Sequence, residues 1–369
     1  MVCFNPNYIY IRNKYPIDGN KTEQNLKRLN KPSFNKYKPN WIQIPVPCGH
    51  CDGCRLDRAN DWATRITNEA EIWDNKGVFV TLTYNDKHLP FNKNGIPTLY
   101  PKDIKDFKKR LRKYCSKHDL PYKEWENPAT GKIERPIRTF ECGEYGPTKG
   151  RPHYHMLIMN WKPKDLKYYK TTKDGNILYT SKTLSKIWGK GFAPIGEITY
   201  KSASYVCRYT MKKAGLSNRH REYYDVFEYD TEKEMPIPKT KYRYVEDQIK
   251  SEFITMSTCP GIGKAYFIEN FEKIKKNNGI MIKVDNSVKI KRIPRYYKKI
   301  WEKLDWEDYE RYKYAQLKII EENNKKAIDS YNLPKEWHYE RKLKFVNDKR
   351  IQIFKDKMEA MRKRGRTEE

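Results

Sequence analysis

The stretch "GRPHYHMLIMN", Gly150 to Asn160, carries His153 and His155, two of only 7 histidines in 369 residues. The apolar run that follows them reads as a central strand, buried on both faces. In a strand, residues i and i+2 project from the same face. Both imidazoles therefore aim one way, and Leu157 and Met159 continue their face as core. Tyr154 points to the opposite face as packing. Two neutral imidazoles so placed can bind one divalent ion from one side. The pair alone is a weak signal; its surroundings add weight.

Just upstream, "FECGEYGPTKGRP" offers two carboxylates. Glu141 ends a predicted strand, and Glu144 follows in a glycine-bounded turn. Two histidines plus one carboxylate make an open site suited to Mg2+ or Mn2+ in phosphate chemistry. Glu144 is the expected third ligand, with Glu141 as the alternative. A second chemistry lies in "YVCRYTMKK". Tyr205 and Tyr209 are four apart on a predicted helix and share a face. Lys212 and Lys213 follow within one turn. A tyrosine can attack a phosphodiester and form a covalent phosphotyrosine, and a nearby cation favours the phenolate. A third cluster is "PCGHCDGC", with Cys48, Cys51 and Cys54 each three apart. Such knuckles bring thiolates within reach of a tetrahedral Zn2+. They need a fourth ligand. Cys115, Cys142, Cys207 and Cys259 are scattered and read as packing residues.

These groups need elements to position them. Residues 1–47 are proline-rich and read as irregular. In "RLDRANDWATRITNEAEIW", Leu56, Ala59, Trp62, Ala63, Ile66, Ala70 and Trp73 recur at helical spacing. Strands are predicted over 78–84, 137–142, 153–159 and 194–200. Helices are predicted over 101–115, with Ile104, Phe107 and Leu111 inward, over 181–189, and over 202–215, ending at Gly215. Residues 216–252 read as a loop-like insertion. The stretch after about Val284 alternates in charge and reads as helical with a solvated face.

Composition narrows the partner. Lys and Arg total 76 against 47 acidic residues, a formal charge of +29. Such a balance points to a polyanion, and nucleic acid is the natural one. Aromatic residues make up 14% of the chain, and rings among basic side chains suit unpaired bases. An AT-rich genome accounts for much of the tyrosine excess. No run of 18 apolar residues occurs, so no membrane span is expected. The first residues lack the order of a signal peptide, which predicts an intracellular chain whose 8 cysteines are thiols or ligands. "GIGKAYF" lacks the spacing of a P-loop.

Taken together, "PCGHCDGCRLDRANDWATR", "VTLTY", "CGEYG", "RPHYH", "YVCRYTMKK" and "MSTCPGIGK" resemble, in order over roughly residues 45 to 264, the replication initiation proteins of microviruses, the gokushovirus branch in particular. "IPRYYKK" (293–299) is a weaker match. Those proteins are HUH endonucleases. The resemblance implies an α+β fold: an antiparallel sheet of about five strands with packed helices. The expected organisation is an N-terminal arm with the cysteine cluster over 1–55, an endonuclease domain over 56–270 and, beyond what the resemblance covers, a basic helical tail over 271–369. The resemblance makes His153 and His155 metal ligands, Tyr205 and Tyr209 the nucleophile pair, and Thr81 and Thr83 structural. Tyr209, followed by Lys212, is expected to attack first. Tyr154 is less apolar than the family's usual middle residue.

The family also starts with a cysteine near its N-terminus, which makes Cys3 the expected fourth zinc ligand and His50 the rival. The zinc would pin the arm to the helix at 55–74. The implied activity is nicking and rejoining of single-stranded phage DNA at the origin through a 5′-phosphotyrosine. Implied partners are single-stranded and nicked duplex DNA and a host helicase, polymerase and single-strand binding protein, in the cytoplasm of an infected bacterium. Two rivals stand beside it: a metal-dependent phosphoesterase that uses water, and a non-enzymatic zinc-bearing nucleic-acid binder.

Overall fold

Alternating β-branched, aromatic and apolar residues build the centre of this protein. The computed structural model describes residues 3, 7–12, 41–118, 123–126, 131–146, 150–172, 175–213, 221–230, 235–244, 250–284 and 287–367. Strands β1 (Asn7–Arg12) and β2 (Trp41–Val46) form an antiparallel pair. Helix α1 (Asp52–Ile72) leads to β3 (Gly77–Thr83) and α2 (Pro101–Lys117). Next come the short pair β4 (Trp125–Glu126) and β5 (Ile133–Glu134), and the long strands β6 (Arg138–Tyr145) and β7 (Pro152–Met159). Then follow β8 (Lys167–Thr171), β9 (Ile177–Thr180), α3 (Lys182–Trp188), β10 (Ile195–Gly196) and α4 (Tyr200–Lys213). A hairpin of β11 (Arg221–Asp230) and β12 (Met235–Tyr244) precedes β13 (Phe253–Met256), α5 (Lys264–Glu269) and α6 (Phe271–Asn277). The chain ends with the hairpin β14 (Ile280–Val284) and β15 (Ser287–Lys291) and helices α7 (Arg295–Leu304), α8 (Trp306–Asp329) and α9 (Tyr339–Thr367).

Two compact units result: residues 59–300, and residues 1–58 with 301–369. The first holds a seven-stranded antiparallel sheet in the order β13-β6-β7-β3-β10-β9-β8. The expected α+β class and antiparallel sheet are present; the β8–β9 hairpin, joined through β10, carries the sheet beyond about five strands. On one face, Val80, Leu82, Met156 and Ile158 pack with Ile104, Phe107 and Leu111 of α2 and Leu184 of α3. The predicted inward positions of α2 are thus core. Ser181 caps α3 by accepting from the Leu184 amide at 3.0 Å, and Gly189 ends it at φ 68°. The other face lies under α1, whose Trp62 meets Phe140 of β6 at 5.3 Å, and under α4.

The glycines of "CPGIGK" are packing devices. Buried Glu69 of α1 accepts from the Arg138 guanidinium at 2.8 Å and from the Gly263 amide at 2.6 Å. Arg138 also donates to the carbonyls of Cys259 and Pro260. The Arg65 guanidinium stacks between Trp62 and Tyr296, 3.9 and 4.0 Å from their ring centroids, and donates to the Ile262 carbonyl. Gly263 sits at φ +79°, and a Cβ there would collide with the Tyr297 hydroxyl. A fully enclosed ion pair thus ties α1, β6 and the 259–263 loop together.

Five expectations change. Within residues 1–47, expected to be irregular, 7–12 and 41–46 pair in register as β1 and β2. Strand 137–142 extends to Tyr145, which takes Glu144 out of a turn and into β6. Strand 194–200 shortens to β10 because Thr199 accepts from the Ser202 amide at 3.1 Å and starts α4 early. Part of 216–252 forms the β11–β12 hairpin, whose strands pair over all ten residues. Residues 287–291 are a strand, paired with β14, whose Ile280 and Ile282 are buried; helix resumes at Arg295. Gly215 lies outside the described residues.

Removing one member of an enclosed ion pair strands the other charge, at a cost of about 3–5 kcal/mol. Glu69→Ala is therefore expected to lower unfolding free energy by roughly that amount in a urea titration. Exposed Glu272→Ala, by contrast, should leave the midpoint unchanged.

Candidate active site

Strand register builds the site. In β7, His153 stands opposite Thr83 of β3 and Glu144 of β6, and His155 stands opposite Thr81 and Cys142. Glu144, His153 and His155 therefore share the α4 face. Their donor atoms all lie within 4.8 Å of one another. Both imidazoles turn Nε2 to the same carboxylate oxygen of Glu144, at 3.1 Å from His153 and 2.5 Å from His155. Their Nδ1 atoms are held from behind. That of His153 lies 3.2 Å from the Arg151 carbonyl and that of His155 lies 2.9 Å from the Thr81 hydroxyl. Such outer contacts fix ring orientation, as they do for metal-ligating histidines.

The electrostatics follow from this convergence. Burial alone would raise the Glu144 carboxyl, but the hydrogen bonds from His153 and His155 outweigh it and hold it down to about 2. Burial works against a charged His153, yet contact with Glu144 and the Arg151 carbonyl leaves its pKa raised. Burial dominates at His155 and lowers its pKa. An ionised carboxylate and two imidazole nitrogens at this spacing form a two-nitrogen, one-oxygen donor set. That set is compatible with a metal ion.

Helix α4 crosses β6 and β7. Its buried Ala203, Val206 and Cys207 face the sheet, and Tyr205 sits at the rim, 42% exposed. The Tyr205 ring meets His155 edge-on, centroids 5.3 Å apart, Phe79 stacks on His155 at 5.6 Å, and Phe79 and Tyr205 meet each other at 6.3 Å. Tyr209 and Lys212 follow in the last turns of the same helix; their side chains lie outside the described residues.

Glu141, the alternative ligand, points the other way. It stands opposite Met156, is fully buried, and bonds to Lys108 of α2 and Thr255 of β13. Tyr154 is buried as expected, but not as plain packing: its hydroxyl meets Tyr84 at 3.0 Å and both accepts from and donates to the Tyr100 backbone. Thr81, expected to be structural, positions His155, and Phe79 walls it. The alternation of "VFVTLT" places Phe79, Thr81 and Thr83 on the histidine face, which is the signal that marks them.

The second cluster forms in the other unit. The Sγ atoms of Cys3, Cys48, Cys51 and Cys54 lie within 4.8 Å of one another, with Cys48–Cys54 at 4.0 Å and Cys51–Cys3 at 3.8 Å. Backbone hydrogen bonds, first from Cys51 and then from His50, hold the Cys48 thiol down to about 6 against the effect of burial. His50 contributes this amide, while Cys3 supplies the fourth sulfur. Cys115, Cys142 and Cys207 are buried, as packing residues should be; Cys259 is exposed, because its loop presents carbonyls rather than side chains to Arg138.

An antiparallel sheet that offers two imidazoles and a carboxylate beside a tyrosine-bearing helix is a donor set compatible with a metal ion. Comparison narrows the reading. A family profile for replication-associated proteins of the ORF2 type matches residues 77–214, which contain every residue of this site. The replication-associated protein ORF2 of Spiroplasma virus 4 is 34% identical over 295 residues, 77% of this chain and 79% of that protein. The replication-associated protein VP4 of Bdellovibrio phage phiMH2K is 33% identical over 208 residues, 56% of this chain and 60% of that protein. The replication-associated protein ORF4 of Chlamydia phage 1 is 32% identical over 176 residues, 47% of this chain and 39% of that protein. No solved structure matches. The chain belongs to the microvirus-type replication-associated proteins. No helix among the described residues is long and apolar enough to cross a membrane.

The geometry separates the two glutamates. Glu144→Ala, His153→Ala and His155→Ala each remove a convergent donor and should weaken Mn2+ binding, followed by electron paramagnetic resonance, by at least about 10-fold. Glu141→Ala should lower stability and leave Mn2+ affinity unchanged.

Proposed function

We propose that this protein initiates rolling-circle replication of a phage genome by nicking and rejoining single-stranded DNA at the origin. The observation that carries the reading is the aim of both His Nε2 atoms and the Glu144 carboxylate at one point beside the Tyr205 ring. Glu144, His153 and His155 would hold Mg2+ or Mn2+, which stabilises the charge that develops on the scissile phosphate. Tyr205 or Tyr209 attacks phosphorus through its phenolic oxygen. The bond from phosphorus to the 3′ oxygen breaks, and the phenol proton ends on that oxygen. The products are a 5′-phosphotyrosine and a free 3′-hydroxyl, from which a host polymerase extends. The reverse attack by a 3′-hydroxyl rejoins DNA and releases the tyrosine. One phosphodiester replaces another, so no nucleotide hydrolysis is required.

Two tyrosines one helical turn apart serve two cleavages. The second can cut a regenerated origin while the first remains attached. Lys212, three residues after Tyr209, would favour its phenolate. Each single Tyr→Phe variant should retain some denaturant-stable adduct with single-stranded origin DNA and Mn2+, and the double variant should form none. An adduct from the double variant would place the nucleophile elsewhere. Nicked DNA without any adduct from the wild type would mean that water attacks.

The four cysteines fit structural zinc. A tetrahedron with Zn–S bonds of about 2.3 Å has edges of about 3.8 Å. The measured sulfur pairs, 3.8 and 4.0 Å, match that edge. Zinc there would tie Cys3 to the start of α1. Elemental analysis of purified protein should find about one zinc per chain. Cys51→Ser should lower both zinc content and thermal midpoint, since metal binding contributes directly to folding.

A further inference from the structure

An exposed aromatic pair stands on the same sheet face as the candidate metal site. Phe192 is 46% exposed and Tyr169 47%. Their rings meet edge-on with centroids 5.2 Å apart, and neither belongs to the core. Backbone bonds fix where they lie. Ile195 and Gly196 pair with Val80 and Phe79, and the amides of Thr81 and Thr83 donate to the carbonyls of Pro194 and Phe192 at 3.1 and 3.0 Å. The register thus continues past β10, and Phe192 stands opposite Thr83. Thr83 stands opposite His153, and His153 opposite Glu144. Glu144, His153, Thr83 and Phe192 form one row across adjacent strands. At about 4.8 Å per strand, Phe192 lies roughly 10 Å from His153. The Thr83 hydroxyl donates to the Phe192 carbonyl at 2.8 Å and holds it there.

Positive charge lies beside the pair. Strand β8 reads "KYYKT", exposed at every position, with two lysines and no carboxylate. The Lys170 ammonium lies 5.6 Å from the Tyr169 ring centroid. Exposed rings beside ammonium groups are the complement of unpaired bases beside phosphates. A duplex does not fit this surface, because its base faces stay inside the stack.

We propose that Phe192 and Tyr169 form a stacking platform for an unpaired base of single-stranded DNA, a few nucleotides from the scissile phosphate, with Lys167 and Lys170 on the neighbouring phosphates. The position relative to the cut rests on the nicking reading above; the stacking itself does not. Stacking on one aromatic residue strengthens binding by about 10-fold. In fluorescence anisotropy, the full chain should bind oligo(dT) of about 20 nucleotides roughly 10-fold tighter than a base-free deoxyribose-phosphate chain of equal length. Phe192→Ala with Tyr169→Ala should abolish that preference and leave affinity for the base-free chain unchanged. Phe192→Trp should keep the preference, and Phe192→Leu, apolar but without a π face, should reduce it. Equal affinity of the wild type for both chains, or a preference that survives the double alanine variant or is undiminished in Phe192→Leu, overturns the platform. The adduct assay is read separately: a wild type that forms no adduct yet loses base preference in the double variant removes the nicking reading and leaves the platform standing.

Discussion

The antiparallel register of β6, β7 and β3 is the constraint on which the site depends. It places His153 between Thr83 and Glu144, and His155 between Thr81 and Cys142. A slip of one residue would turn every one of these side chains to the other face. The imidazoles would then enter the apolar layer beneath α2, and Tyr154 would emerge among the ligands. Tyr154 itself opposes the slip. Its hydroxyl is bonded on the far face to Tyr84 and to both backbone groups of Tyr100, so a shift would leave a buried phenol without partners. The polar residue between the two histidines thus acts as a pin for the strand that carries them.

Two glutamates three residues apart in β6 show how the same sheet handles buried charge in two ways. Glu141 faces α2 and meets Lys108, a fixed ammonium, together with the Thr255 hydroxyl. Glu144 faces α4 and meets the imidazoles of His153 and His155. Burying either carboxylate without a partner would be costly. The first arrangement pairs a buried carboxylate with an amine and a hydroxyl inside the fold. The second gathers one oxygen and two nitrogen donors, a set compatible with a metal ion. Sequence spacing offers both residues equally; the strand's two-residue period distinguishes them.

That period explains what is legible in the sequence. The histidine pair, the inward face of α2, the caps of α3 and the three-spaced cysteines follow from local rules, and each is found in place. Gly143 and Gly146 flank Glu144 and suggest a turn, yet Gly143 lies inside β6, where Phe253 and Leu99 fill the space a side chain would take. The second glycine pair, Gly261 and Gly263, makes room for Tyr296 and Tyr297, which follow more than thirty residues later. The β14–β15 hairpin and the row that ends at Phe192 depend on pairing between distant segments. Local pattern does not encode those contacts, so they emerge only in three dimensions.

The converging donor set and the rim tyrosine are carried by different elements, and the division has a physical reason. Metal ligands need fixed geometry, which a central strand buried on both faces provides. A polymer substrate needs access from solvent, which the same burial would deny. Helix α4 reconciles the two demands through its own periodicity. Ala203, Val206 and Cys207 are buried against the sheet and fix the helix, while Tyr205, about 100° around the axis from Val206, is left at the rim against His155. The helix therefore presents Tyr205 at the boundary between a buried donor set and solvent.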